Sequence, residues 1–164
     1  MIDTLARWIR GVDARLERRG LRNVLTAIYD RYSSQPLSTA TLAITAGGSA
    51  TASTGAVYQG VVKGVPVTIA SGTVMPVLTG TITANKFNVY CFFIDSVSTV
   101  TVAQGTEGTT IGAVLWPAFP ENKALVGILL ITHSATFTGN TTPLDTATTV
   151  YLSPVGPFDP SVLL

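Results

Sequence analysis

KFNVYCFFID, residues 86–95, and ALVGILLI, residues 124–131, decide the fold of this 164-residue chain. In the first stretch Phe87, Val89, Cys91 and Phe93 fall on one face of an extended strand. Asn88, Tyr90, Phe92 and Ile94 fall on the other, because side chains alternate along a strand. In the second stretch both alternating sets are apolar as well. A strand in a two-layer antiparallel fold normally has one face in the core and one in water. Strands apolar on both faces lie either deep in a closed structure or against a neighbouring subunit. The chain is poor in charge, which favours the subunit interface, and Tyr90, Phe92 and Ile94 are the residues expected to form it.

Charged residues make up 12% of the chain and mean hydropathy is +0.43, against roughly 25% charged in a typical globular domain. So little charge cannot cover a whole surface. The surface is therefore expected to be neutral Thr, Ser, Asn and Gly, or to be covered by other copies. Of 25 threonines, 23 follow Pro36, and the β-branch of threonine favours strands. Strands are expected at 39–45, 56–62, 65–70, 86–95, 99–103, 112–116, 124–132 and 148–152. Turns are marked by Gly47-Gly48, Lys63-Gly64, Ser71-Gly72, Gly105 to Gly108, Pro117 to Pro120 and Gly139-Asn140, and residues 47–55 (GGSATASTG) read as a flexible loop. Short strands at this spacing with no helix between them predict a mainly β fold, an antiparallel β-sandwich or jelly-roll-like domain over 36–164.

Residues 1–35 differ in kind. They hold seven arginines against four acids, a net of +3, whereas 36–164 carry a net of −2. Ile2, Leu5, Ile9, Val12 and Leu16 recur at steps of three and four, the seam of an N-terminal amphipathic α-helix. The pattern restarts as Leu21, Leu25, Ile28 and Tyr32, so a kink is expected near Gly20. Pro36 ends the helix by restricting the residue before it. Ile2, Leu5, Ile9, Val12, Leu16, Leu21, Leu25 and Ile28 are candidate contacts to another copy or to a protein partner. Arg7, Arg10, Arg15, Arg18, Arg19 and Arg22 fall mostly off the seam and are candidate contacts to a charged partner. Four interspersed acids weaken the membrane and nucleic-acid readings and favour a protein partner or self-association. The longest apolar run, residues 124–131, is too short to span a bilayer.

Catalytic chemistry is thin. His133 is the one histidine and Cys91 the one cysteine, so no intrachain disulfide can form, and no nucleophile elbow is present. A histidine at a strand end reads as bonded to backbone, and Cys91 within an apolar run reads as a small buried hydrophobe. Asp95, Glu107, Glu121, Asp145 and Asp159 are isolated from one another in sequence. A hydrolase built on Asp95 or Glu107 would need two of them to converge in space. Gly105 to Gly108 lack the lysine and helix of a phosphate loop and read as a hairpin turn. No enzyme, cofactor or metal is expected.

The segment from Thr79 to Pro154 resembles a β-rich virion protein type of tailed bacteriophages, found among head decoration (cement) proteins and capsid-attached fibres. The residues that carry the resemblance are LTGTITANKFNVYCFFID (78–95), STVTVAQGTEG (98–108), IGAVLWPAFPENKALVGILLIT (111–132) and ATFTGNTTPLDTATTVYLSP (135–154). They span just under half the chain, and the helical N-terminus departs from the simplest members. The resemblance implies a homotrimer on the capsid exterior that stabilises the head shell. Its partners would be the major capsid protein or other virion proteins, with assembly in the host cytoplasm. The alternative it allows is a head or tail fibre module binding a host glycan or receptor through Trp116, Phe119 and Tyr151.

Overall fold

The computed structural model, which describes residues 18–157 apart from 24, 27, 28, 30 and 31, is organised around the two apolar strands. In chain order the strands are β1 (Gln35–Pro36), β2 (Leu42–Ile44), β3 (Ala52–Thr54), β4 (Tyr58–Val62), β5 (Val65–Ile69), β6 (Thr81–Ile82), β7 (Phe87–Asp95), β8 (Val100–Gln104), β9 (Lys123–Thr132), β10 (Phe137–Thr138) and β11 (Thr148–Leu152). Every pairing is antiparallel, and the chain is mainly β as expected. A four-stranded sheet runs β11-β9-β7-β8, and a three-stranded sheet runs β1-β4-β5. β2 pairs with β3, and β6 with β10.

Tyr90, Phe92 and Ile94 are 0% exposed within a single chain. Tyr58, Val62, Val67 and Ile69 of the smaller sheet share one core with them, joined by Leu129 and Ile131 of β9 and by Phe137. The subunit interface expected on this face is therefore corrected: the chain covers it with its own second sheet. The opposite face is dry too. Val89, Cys91 and Phe93 pack with Val114, Leu125 and Ile128, and Trp116 lies against them. The cover here is the segment from Gly105 to Pro120, not another copy.

That segment differs from its expected form in two places. Residues 112–116 do not form a strand; Ile111–Ala113 is a 3₁₀ turn, and a single bridge joins Leu115 to Thr106. Gly105 to Gly108 are not a hairpin turn. They prolong β8 along β7, with Gly105 N–H donating to the Val89 carbonyl at 2.8 Å and Gly108 N–H to the Phe87 carbonyl at 2.9 Å. Their lack of side chains serves close approach. A Cβ on Gly105 would lie 2.4 Å from the Leu115 carbonyl oxygen, and one on Gly108 2.6 Å from the Ala113 carbonyl carbon. These two glycines let the covering segment come down onto the sheet. The loop expected at 47–55 likewise contains β3.

The two sheets are tied at a β-bulge. Phe92 pairs with Gly127 but Phe93 pairs with Leu125, leaving Val126 as the extra residue of β9. The alternation changes phase there, so Ala124 and Val126 face the main core while Ile128 faces the second one. Tyr58 crosses from β4 and donates its hydroxyl to the Leu125 carbonyl at 3.0 Å. Burial pushes the Tyr58 pKa up, so the hydroxyl stays a donor. Gly60 leaves room for it, since a Cβ there would lie 2.6 Å from the Tyr58 hydroxyl oxygen.

Among the described non-glycine residues with positive φ, Thr41 is the β-branched one and is strained. Thr41, between buried Ala40 and Leu42, has φ of +47°, a region that a β-branched residue enters at a cost of about 1–3 kcal/mol. Its carbonyl accepts Gly55 N–H at 2.9 Å, which holds the turn into β2. Thr41→Gly is expected to raise the unfolding free energy by about 1 kcal/mol, because relief of strain exceeds the added entropy of glycine. A shifted midpoint in urea unfolding checks this. A lower midpoint would mean that the conformation costs threonine nothing.

Candidate assembly surface

Of the basic arm, residues 18–23, 25, 26, 29, 32 and 33 are described, and their backbone is helical. Ile2, Leu5, Ile9, Val12, Leu16, Ile28, Arg7, Arg10 and Arg15 lie outside the described residues. Leu21 and Leu25 are 61% and 56% exposed, and Tyr29 and Tyr32 are 61% and 58% exposed. At about 100° per residue these four side chains fall within a quarter turn of one another, as one apolar stripe. Arg19 points away from the stripe and Arg22 flanks it. Arg18, one turn before Leu21, lies in line with it, so the arginines do not all avoid the seam. Tyr29 belongs to the stripe although the sequence reading passed over it; its spacing of four from Leu25 was the available signal.

The arm leaves the β-domain at a fixed point. Gly64 N–H donates to the Ser33 carbonyl at 3.1 Å, and Lys63 N–H donates to the Ser34 hydroxyl at 3.1 Å. Lys63 and Gly64 form the two-residue turn between β4 and β5. Their φ values of +49° and +81° are the left-handed pair that a tight hairpin requires. Beside this exit lies an open hollow of about 160 Å³ lined by Ser34, Pro36, Phe119, Pro120, Glu121, Lys123, Leu125 and Gly156.

The aromatic side chains considered for glycan contact are built into the packing. The Phe119 ring meets Phe93 edge-on at 5.2 Å and Trp116 at 6.2 Å, and Tyr151 packs against the main core.

The candidate chemical groups do not converge. Asp95 accepts N–H bonds from Val97 and Thr99 at 3.0 and 2.9 Å and caps the turn between β7 and β8. Glu107 sits beside the other end of β7, roughly 26 Å away at strand rise, whereas paired hydrolase carboxylates stand about 5–9.5 Å apart. His133 Nδ1 lies 3.0 Å from the Ala135 carbonyl oxygen and 3.3 Å from its N–H. The histidine borders a polar hollow of about 180 Å³ with Asn85, Thr132, Ser134, Thr146 and Thr148. Burial pushes the Cys91 thiol up to about 12, so it is no nucleophile at neutral pH. Among the described residues no cluster of His, Cys, Asp and Glu could hold a metal. Among them also, no helix is long and apolar enough to cross a membrane.

Glu107 is instead a structural clamp, which the sequence reading missed. Its carboxylate accepts from Lys86 Nζ at 2.6 Å and from the Thr83 N–H and hydroxyl at 2.7 and 2.8 Å. The Lys86 hydrogen bond, followed by those of Thr83, holds the carboxyl down at about 2. An unfolded glutamate titrates near ~4.3. The clamp's contribution is therefore complete above that value and is lost as pH falls through about 2. Glu107→Gln is expected to flatten the stability profile between these limits in pH-dependent urea unfolding. An unchanged slope would show that the clamp adds nothing.

Comparison with family models, with curated proteins and with solved structures finds no match to this chain.

Proposed function

We propose that this chain is a structural protein of a tailed-bacteriophage virion, a decoration (cement) protein that trimerises on the capsid exterior and stabilises the head shell. The β-domain is a sandwich of the jelly-roll kind, carried behind a basic amphipathic arm. The observation that carries the reading is the stripe of Leu21, Leu25, Tyr29 and Tyr32. Four large side chains, each more than half exposed on one helical face, have no cover among the described residues, whereas β7 and β9 are packed on both faces. Such a face is stable in water chiefly when another surface covers it. The virion-like segment 79–154 supports the setting, and the basic charge of the arm suits contact with an acidic shell or a neighbouring trimer. A cement protein acts by mass action, binding the assembled shell and not its free subunits.

Pelleting with head shells of the encoding phage is the test. The full chain is expected to co-sediment, and deletion of residues 1–32, which spares the bonds of Ser33, Ser34 and Gln35 to the β4–β5 hairpin, to abolish this while the β-domain keeps its melting transition. Undiminished binding by the deleted chain would overturn the division of labour between arm and domain.

A further inference from the structure

β8 is an edge strand whose outer side has no neighbour in the sheet. Asp95 N–H donates to the Thr99 carbonyl and Gly105 N–H to the Val89 carbonyl. The main chains of Thr99, Thr101, Ala103 and Gly105 therefore face β7, by the two-residue period of an antiparallel ladder. Those of Val100, Val102 and Gln104 face outward, and no described residue bonds them.

Exposed edges are usually blunted by charge, proline or a covering segment. In this fold β5 carries Pro66 at its edge, and β1 carries Pro36. β2 lies beside β11, where Leu42 N–H donates to the Ser153 hydroxyl at 3.3 Å. β8 has no such device: residues 96–105 contain neither charge nor proline.

We infer that β8 pairs with β8 of a second copy, antiparallel about a two-fold axis at Val102. In this register Val102 faces its own equivalent and Val100 faces Gln104. The outward N–H and C=O groups are then satisfied in roughly six hydrogen bonds. Two four-stranded sheets become one of eight, within the usual size range. Charge is compatible, because the Asp95–Lys123 end of one sheet meets the Lys86–Glu107 end of the other, each carrying one acid and one base. A foreign strand would find no charge on β8 to recognise, whereas the edge complements itself. The contact is small, so pairing in free solution falls in the roughly millimolar range and strengthens where copies are held side by side. It does not depend on the arm.

Residue-resolved amide exchange of the full chain, compared at about 20 µM and about 1 mM, tests the pairing. The Val100, Val102 and Gln104 amides are expected to slow about twofold at the higher concentration, where a roughly millimolar Kd pairs about half the chains, with Thr101 and Ala103 protected throughout. Val102→Pro removes only an outward donor and is expected to fold and abolish the concentration dependence. Thr101→Pro, which breaks the internal ladder, serves as the misfolded control. Fast exchange of the three outward amides at both concentrations would overturn the pairing, whether the chain is a trimer or a monomer. So would concentration-dependent protection that survives in Val102→Pro.

Discussion

Replacing Phe92 by alanine is expected to lower the unfolding free energy by about 3–5 kcal/mol, the cost of a cavity where a buried phenylalanine stood. Phe92 is 0% exposed at the centre of β7. It faces Gly127 just before the bulge, where neighbouring backbone cannot easily collapse into the gap. Natural domains are stable by only about 5–15 kcal/mol, so the variant approaches the limit of folding. Guanidinium unfolding measures the effect. A loss below about 1 kcal/mol, together with weakened self-association, would return Phe92 to a subunit interface and contradict the covering role of the smaller sheet.

The second large effect belongs to the arm. Leu21→Asp with Leu25→Asp places two charges in the exposed stripe while the β-domain keeps all its contacts. Each leucine buried between chains contributes about 1.5–3 kcal/mol, so association is expected to weaken at least about a hundredfold. The melting transition of the β-domain is expected to stay within about 0.5 kcal/mol of the parent, as for surface substitutions. Sedimentation velocity across a concentration series reads the first effect and circular dichroism the second. If association is unchanged, the stripe is a solvated helix face and the assembly surface lies elsewhere.

The alternation in KFNVYCFFID was legible because its period survives in the structure; Tyr90, Phe92 and Ile94 share one core and Val89, Cys91 and Phe93 the other. The strands at 58–62, 65–69, 123–132 and 148–152 were legible within two residues for the same reason, and Lys63-Gly64 through its turn chemistry. What covers the strands was not legible. The segment that seals the second face has no strand period, and its glycines serve close approach to backbone distant in sequence. The bulge at Val126 left no trace because residues on both sides of the phase change are apolar. β1, β6 and β10, two residues each, are shorter than any periodic signal. At the candidate site, the spacing of Leu21 and Leu25 showed the stripe. The Glu107 clamp stayed hidden because Thr83 and Lys86 lie more than twenty residues away in sequence.

The central claim is that this domain works by assembling through its arm, and the mass of the full chain in solution tests it most directly. Light scattering behind a sizing column at micromolar concentration is predicted to give a mass near three chains of 17.1 kDa. A mass of one chain, with the stripe of Leu21, Leu25, Tyr29 and Tyr32 left in water, would contradict it.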